Sequence, residues 1–217
     1  MDYGNRCRQQ FASIGISDIR LIPYSYDFCR LFIKKRKTLK NAAKAVTMVI
    51  SKYYLWGVVM KRDEYLSWDE YFMGIAYLSS MRSKDPSTQV GACIVDRENK
   101  IISMGYNGMP RCCHDDEYPW DRNPGLDSKY LYVCHAELNA ILNCHSGSLR
   151  DAVVYTTLFP CNECAKAIIQ SGISEVVYFS DKYAETDSVL ASKRMFDSAG
   201  VKYRPYSASG KEIKFEL

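Results

Sequence analysis

The sequence predicts an α/β fold, one five-stranded mixed sheet with helices on both faces. Three observations lead there. Short runs rich in β-branched and aromatic residues recur between residues 89 and 206. Stretches with helical starts and stops separate most of them. Strand–helix–strand repeats favour parallel pairing by right-handed crossovers, whereas one tight turn requires an antiparallel hairpin.

Each element has its own signal. Ser67–Trp68–Asp69–Glu70 reads as a capping box, with Ser67 as N-cap and Glu70 at N3. It opens a helix to about Met81, with Tyr71, Ile75 and Leu78, joined by Phe72, expected to face inward. QVGACIV (89–95) and KIISMGY (100–106) are two strands joined by the turn DREN. A helix follows from His135 to about Cys144, then a strand, AVVYTTL (152–158). Pro160 is expected in the first turn of the next helix, which runs to Gln170 and is closed by Gly172. EVVYFS (175–180) is a strand, Asp187 to Ala199 a helix stopped by Gly200, and VKYRPY (201–206) the last strand. Residues 107–133 hold three prolines and two glycines without clear periodicity. A loop of that length in a small domain is usually functional.

Residues 1–60 read as a basic N-terminal extension and 61–217 as the folded domain. Charge divides at nearly the same place, with +10 over residues 1–62 and −6 over 63–217. The acidic body argues against a polynucleotide partner, which needs a basic face. The apolar stretch 45–60 is interrupted by Lys52 and is shorter than the about 20 apolar residues of a membrane span. The extension is read first as an appendage without chemical role. Organelle targeting and a surface-binding amphipathic helix are the alternatives. Nine cysteines, an odd number, follow a start without an apolar signal region. They point to a reducing, cytoplasmic setting and to metal-binding or catalytic thiols.

Cys134–His135–Ala136–Glu137 and Pro160–Cys161–Asn162–Glu163–Cys164 supply that chemistry. Together they form H-x-E … P-C-x-x-C, the signature of zinc nucleobase deaminases. Cysteines three apart at a helix start lie on one face, so both sulfurs can reach one ion. The positive ends of two helices favour thiolates there. His135, Cys161 and Cys164 give Zn2+ three protein ligands, which leaves a fourth tetrahedral position for water. Glu137, two residues past the histidine, is placed to work on that water as general acid and base.

CHAELNAI (134–141), LFPCNECAK (158–166), WDEYFMGIAYLSSMRSKDPSTQVGACIV (68–95), GYNGMP (105–110) and IIQSGISEVVYFSDKY (168–183) resemble the zinc-dependent cytidine/deoxycytidylate deaminase family, and within it the dCMP deaminases. The resemblance spans about residues 62–205. It implies the cytidine-deaminase-like three-layer sandwich and conversion of dCMP to dUMP for thymidylate synthesis. It also implies a hexamer, activation by dCTP with Mg2+, and inhibition by dTTP.

A phosphate dianion needs fixed positive groups, and Arg82, Lys84, Lys182 and Tyr183 lie at element ends that could supply them. The resemblance assigns Asn107 to the sugar 3′-hydroxyl, Ala92 to the strand whose backbone lies along the base, and Phe159 to the pocket edge with its carbonyl near the zinc-bound water. It places effector contacts at Gly108, Asp115 and Asp116. Related sequences often read Gly-Cys before the two acids, where this chain has Cys112–Cys113–His114. Loss of that permissive glycine is expected to alter the loop. Two rival functions are a zinc deaminase of free cytidine or an RNA base, and an inactive nucleotide-binding zinc protein.

Overall fold

The computed structural model describes residues 61–145, 147–214 and 216. The extension's apolar stretch, Cys7, Cys29 and the targeting alternative all lie outside the described residues. The elements below belong to one unit, Glu64–Leu217.

Helix α1, Trp68–Ser80, starts on the expected capping box. Ser67 Oγ accepts the Glu70 N–H at 3.2 Å, and the Glu70 carboxylate accepts the Ser67 N–H at 2.5 Å. Its inward face is rotated from the expected one. Phe72, Met73, Ala76, Ser79 and Ser80 are buried, whereas Tyr71 and Leu78 are 41% and 44% exposed. The cause is a glycine beneath the helix. A Cβ on Gly91 would meet Ala76 O at 1.9 Å and Ser80 N at 2.6 Å. The helix therefore rests on strand backbone, where alanine and serine fit and leave little hydrophobic signal.

The five strands are β1 (Gly91–Val95), β2 (Ile101–Tyr106), β3 (Val153–Leu158), β4 (Glu175–Ser180) and β5 (Lys202–Pro205). They pair in the order β2-β1-β3-β4-β5. β1 runs antiparallel to both β2 and β3, and β3–β4 and β4–β5 are parallel. Asn99, at φ 62°, makes the hairpin turn, and the Asp96 carboxylate accepts the N–H groups of Glu98 and Lys100.

Side chains alternate across the sheet, as the two-residue period demands. Cys93, Val95, Tyr155 and Val177 pack with Phe72, Met73 and Ala76 of α1. Ala92, Ile94, Val154 and Val176 face the opposite core. That second face carries α2 (Ala136–Leu142), α3 (Asn162–Ser171) and α4 (Asp187–Ala199), which contribute Ala140, Ile168 and Phe196. The result is the expected three-layer sandwich with a five-stranded mixed sheet. Gly172 and Gly200 end α3 and α4 at φ 81° and 72°, the left-handed conformation that glycine adopts without steric cost. Pro160 departs from expectation. Cys161 is the N-cap of α3, so the proline stands one residue before the cap rather than in the first turn.

Candidate active site

Two helix starts build the site. His135 is the N-cap residue of α2 and Cys161 that of α3, and neither side chain caps its own helix. Both side chains are free to point at a common centre. Glu137 lies in the first turn of α2, and Cys164 is three residues past Cys161. α2 is seated by Gly105, where a Cβ would meet Ala136 O and Ala140 N at 2.4 Å each.

The ligand atoms of His135, Cys161 and Cys164 all lie within 4.8 Å of one another. His135 Nδ1 is 3.2 Å from Cys161 Sγ and 3.5 Å from Cys164 Sγ. Tetrahedral zinc with ordinary bond lengths would separate nitrogen and sulfur by about 3.6 Å. The donor types and their spacing therefore fit zinc. Cys164 is buried, while His135 and Cys161 are partly exposed.

The three groups shift one another's hold on protons. A hydrogen bond from Cys164, helped by the His135 ring, brings the Cys161 thiol down to about 4. The hydrogen bond to Cys161 in turn raises His135 to about 9. Cys164 is pushed well above the ordinary thiol value, first by its bond to Cys161 and then by burial. Metal ligation needs deprotonated donors, so loading releases protons.

Glu137 is 4% exposed. Burial pushes its carboxyl above the usual carboxylate range, against the pull of the His135 charge. The Thr156 hydroxyl lies 3.1 Å from Glu137 Oε1, and Cys164 Sγ lies 3.4 Å from Oε2. A buried carboxyl beside a metal-type donor set is placed to pass protons to and from a group held there.

The other candidate residues are dispersed. Asn107 is buried, with Oδ1 accepting the Val90 N–H at 2.8 Å and Nδ2 donating to Thr88 O at 3.0 Å. Arg82 lies over the Tyr106 ring at 5.9 Å, and Lys182 over the Tyr183 ring at 5.0 Å. Lys84 is paired with Asp115, which joins a candidate phosphate contact to a candidate effector acid. Asp116 is exposed, and Gly108 bridges to Cys134. The Phe159 side chain packs on Tyr178, Phe196 and Tyr203 and is 4% exposed, which leaves its backbone to meet a substrate. Ala92 is fully buried in the core beneath α2–α4, so it too has only backbone to offer.

Sequence reasoning missed three residues around the site. Thr156 beside Glu137 had a weak signal, a polar side chain in the apolar run of β3. Asp85 sits before Pro86 and accepts the Ser87 N–H, as an Asp-initiated turn does. Lys129, buried against Asp85, had no local signal.

This geometry defines a class, the zinc deaminases, and the comparisons agree. Residues 66–180 match the cytidine and deoxycytidylate deaminase zinc-binding region, and the chain belongs to that family. Within it the similarity is to deoxycytidylate deaminases. The chain is 58% identical to that of Pongo abelii over 148 residues, covering 67% of this chain and 83% of the relative. The Homo sapiens deoxycytidylate deaminase is 57% identical with the same coverage. The dCMP deaminase of cyanophage S-TIM5, solved in complex with dCMP and dUMP, superposes with a TM-score of 0.50 at 29% identity, covering 63% of this chain and 94% of that one.

Proposed function

We propose that this protein hydrolyses dCMP to dUMP and ammonia, supplying dUMP for thymidylate synthesis. The observation that carries the reading is the His135–Cys161–Cys164 donor triad with buried Glu137 beside it, in a chain 57–58% identical to deoxycytidylate deaminases. Zinc held by the triad supplies the Lewis acidity that lowers the pKa of water toward neutrality. His135, Cys161 and Cys164 fix that centre against the N-termini of α2 and α3. Glu137 takes a proton from the water that adds to C4 of the cytosine and delivers it to N3. A further proton through Glu137 lets the C4 amine leave as ammonia, which balances dCMP plus water against dUMP plus ammonia. Thr156 keeps the carboxylate oriented. Asn107 receives the sugar hydroxyl, and Arg82, Lys84, Lys182 and Tyr183 are the groups proposed to gather around the phosphate.

The proposal extends to regulation in a hexamer, with dCTP and Mg2+ activating and dTTP inhibiting through Gly108, Asp115 and Asp116. The Lys84–Asp115 pair supports a route between the two sites. A cytoplasmic location is proposed as well, and imaging the full chain beside a version starting at Met60 checks it. The decisive assay compares turnover of dCMP, deoxycytidine, cytidine and cytosine-bearing oligonucleotides, and repeats the dCMP arm with dCTP and dTTP. Preference for dCMP is expected. Preference for a nucleoside or oligonucleotide overturns the substrate assignment, and zinc binding without ammonia release overturns the enzyme.

A further inference from the structure

Asp85 and Lys129 form a buried ion pair that the deamination chemistry leaves unused. Their side chains are 4% and 5% exposed, and Lys129 Nζ lies 2.7 Å from both carboxylate oxygens. The pair joins two distant segments. Asp85 opens the turn into β1, where its Oδ1 accepts the N–H groups of Ser87 at 2.8 Å and Thr88 at 3.2 Å. Lys129 sits late in the 107–133 loop, and its carbonyl accepts the Tyr132 and Val133 N–H groups at 3.0 and 2.9 Å. The residue after Val133, Cys134, exchanges backbone hydrogen bonds with Gly108 at 2.9 and 3.1 Å, and the next residue is His135.

Asn107 stands where these contacts meet. Its backbone N–H donates to Val90 O at 3.1 Å, and its Oδ1 accepts the Val90 N–H at 2.8 Å. One Nδ2 hydrogen goes to Thr88 O at 3.0 Å and the other faces Asp85 Oδ2 at 3.4 Å. A carboxamide has two N–H donors and an oxygen with two lone pairs. Both donors are taken, and one lone pair on Oδ1 is left. In this orientation Asn107 can only accept from a ligand. It can read a hydroxyl as a donor but cannot give a hydrogen bond to an ether or carbonyl oxygen.

We propose that Asp85 and Lys129 are positioning residues that fix the Asn107 carboxamide as an acceptor, so that the site selects nucleotides carrying a 3′-hydroxyl. The claim rests on the nucleotide reading above and deepens it. Lys129 holds Asp85 ionised and turned toward Nδ2, while the turn at Ser87 and Thr88 holds the carboxylate in place. Burial opposes the charge on Asp85, but the Lys129 ammonium and the two N–H groups outweigh it and hold the acid below its ordinary range.

The test uses the zinc-loaded full chain and reads binding rather than turnover. Titration calorimetry compares dUMP with 2′,3′-dideoxyuridine monophosphate, which differs only at the 3′ position. The variant is the double substitution Asp85→Asn with Lys129→Met, which removes both charges together and strands neither. Asparagine keeps one oxygen for the Ser87 and Thr88 N–H groups but turns an NH2 group toward Asn107. The unsubstituted protein is expected to prefer dUMP by about tenfold, the worth of one well-placed hydrogen bond. The double variant should lose most of that preference while its affinity for the dideoxy nucleotide stays within about threefold and its zinc content and melting temperature persist. An undiminished preference in the variant overturns the proposal. So does a parallel fall in both affinities, which would make the pair a scaffold only, or a failure of the double variant to fold. No preference in the unsubstituted protein means that Asn107 reads no hydroxyl, and the inference fails while the deaminase reading stands. If neither nucleotide binds that protein, the nucleotide reading fails and the inference with it.

Discussion

The helix starts at His135 and Cys161 and the loop from Asn107 to Cys134 border the same site but are held in place differently. Each helix start is set by its own few residues, with a ligand at the N-cap and a second functional group within the next turn. The loop is held by partners far away in the chain. Lys129 reaches Asp85 across 44 residues, and Lys84 reaches Asp115 across 31. The first region is a chemical unit in which a substitution removes a functional group outright. The second is an adjustable wall whose changes act through stability and selectivity. Substitutions that act differently in the two regions test this division.

The largest effects belong to the helix starts. Cys164→Ser removes a donor from the triad, so the protein should lose stoichiometric zinc and measurable deamination together. Glu137→Gln removes only the proton carrier. Its ammonia release should fall by about 10²–10⁴-fold, the ordinary worth of general acid–base catalysis, with zinc content unchanged. If the glutamine protein works at near-normal rates, the proton path runs elsewhere. If it loses zinc, Glu137 belongs to the donor set.

A loop substitution should act next most strongly, and on stability first. Lys129→Met leaves the Asp85 charge buried without its partner, a change that costs about 3–5 kcal/mol where such pairs are broken. Urea unfolding at neutral pH reads this directly. The pH dependence has a definite sign. Asp85 has a folded pKa below its unfolded value of about 3.9. Its contribution is present above that pH and is lost as pH falls through it toward the folded pKa. The unsubstituted protein should therefore lose part of its advantage over Lys129→Met in acid. A stability gap that does not narrow between pH 6 and about pH 3 would contradict the ion-pair account.

Legibility followed the same division. The strands, the glycine stops at Gly172 and Gly200, and the triad were readable because their signals lie within a few residues of the groups they place. The face of α1 was misread because close docking over Gly91 selects small residues, and Ala76, Ser79 and Ser80 do not look like a core. An aromatic residue next to a motif suits a pocket wall and a core equally well, and the Phe159 ring takes the core. Lys129 could not be found at all. A lysine in a polar loop reads as solvated until the fold brings Asp85 against it.

Gly105 lies between the two regions. It lies within β2, and α2 rests on it. Gly105→Ala places a methyl group 2.4 Å from Ala136 O and from Ala140 N. The helix must lift, at a cost of about 1–3 kcal/mol for overpacking. Because α2 carries Glu137, kcat should drop more than the loss of stability explains, with zinc still bound. A variant destabilised by this amount but fully active would show that α2 moves without disturbing Glu137.

The smallest effect tests the loop's own backbone. Loss of a glycine before the two acids was expected to change the conformation there, yet Cys112 stands at φ 67°, the left-handed region. A side chain in that region costs about 1–2 kcal/mol relative to ordinary backbone, because Cβ crowds the following carbonyl. Glycine avoids that crowding but adds freedom to the unfolded chain, which offsets part of the gain. Cys112 is exposed, so its removal costs little packing. Cys112→Gly should therefore stabilise the protein by about 0.5–1 kcal/mol, seen as a small rise in melting temperature with kcat unchanged. A fall in melting temperature would mean that the cysteine side chain holds the loop by contacts of its own. The loop would then resemble the helix starts, fixed by local chemistry, and the division between the two regions would not extend to Cys112.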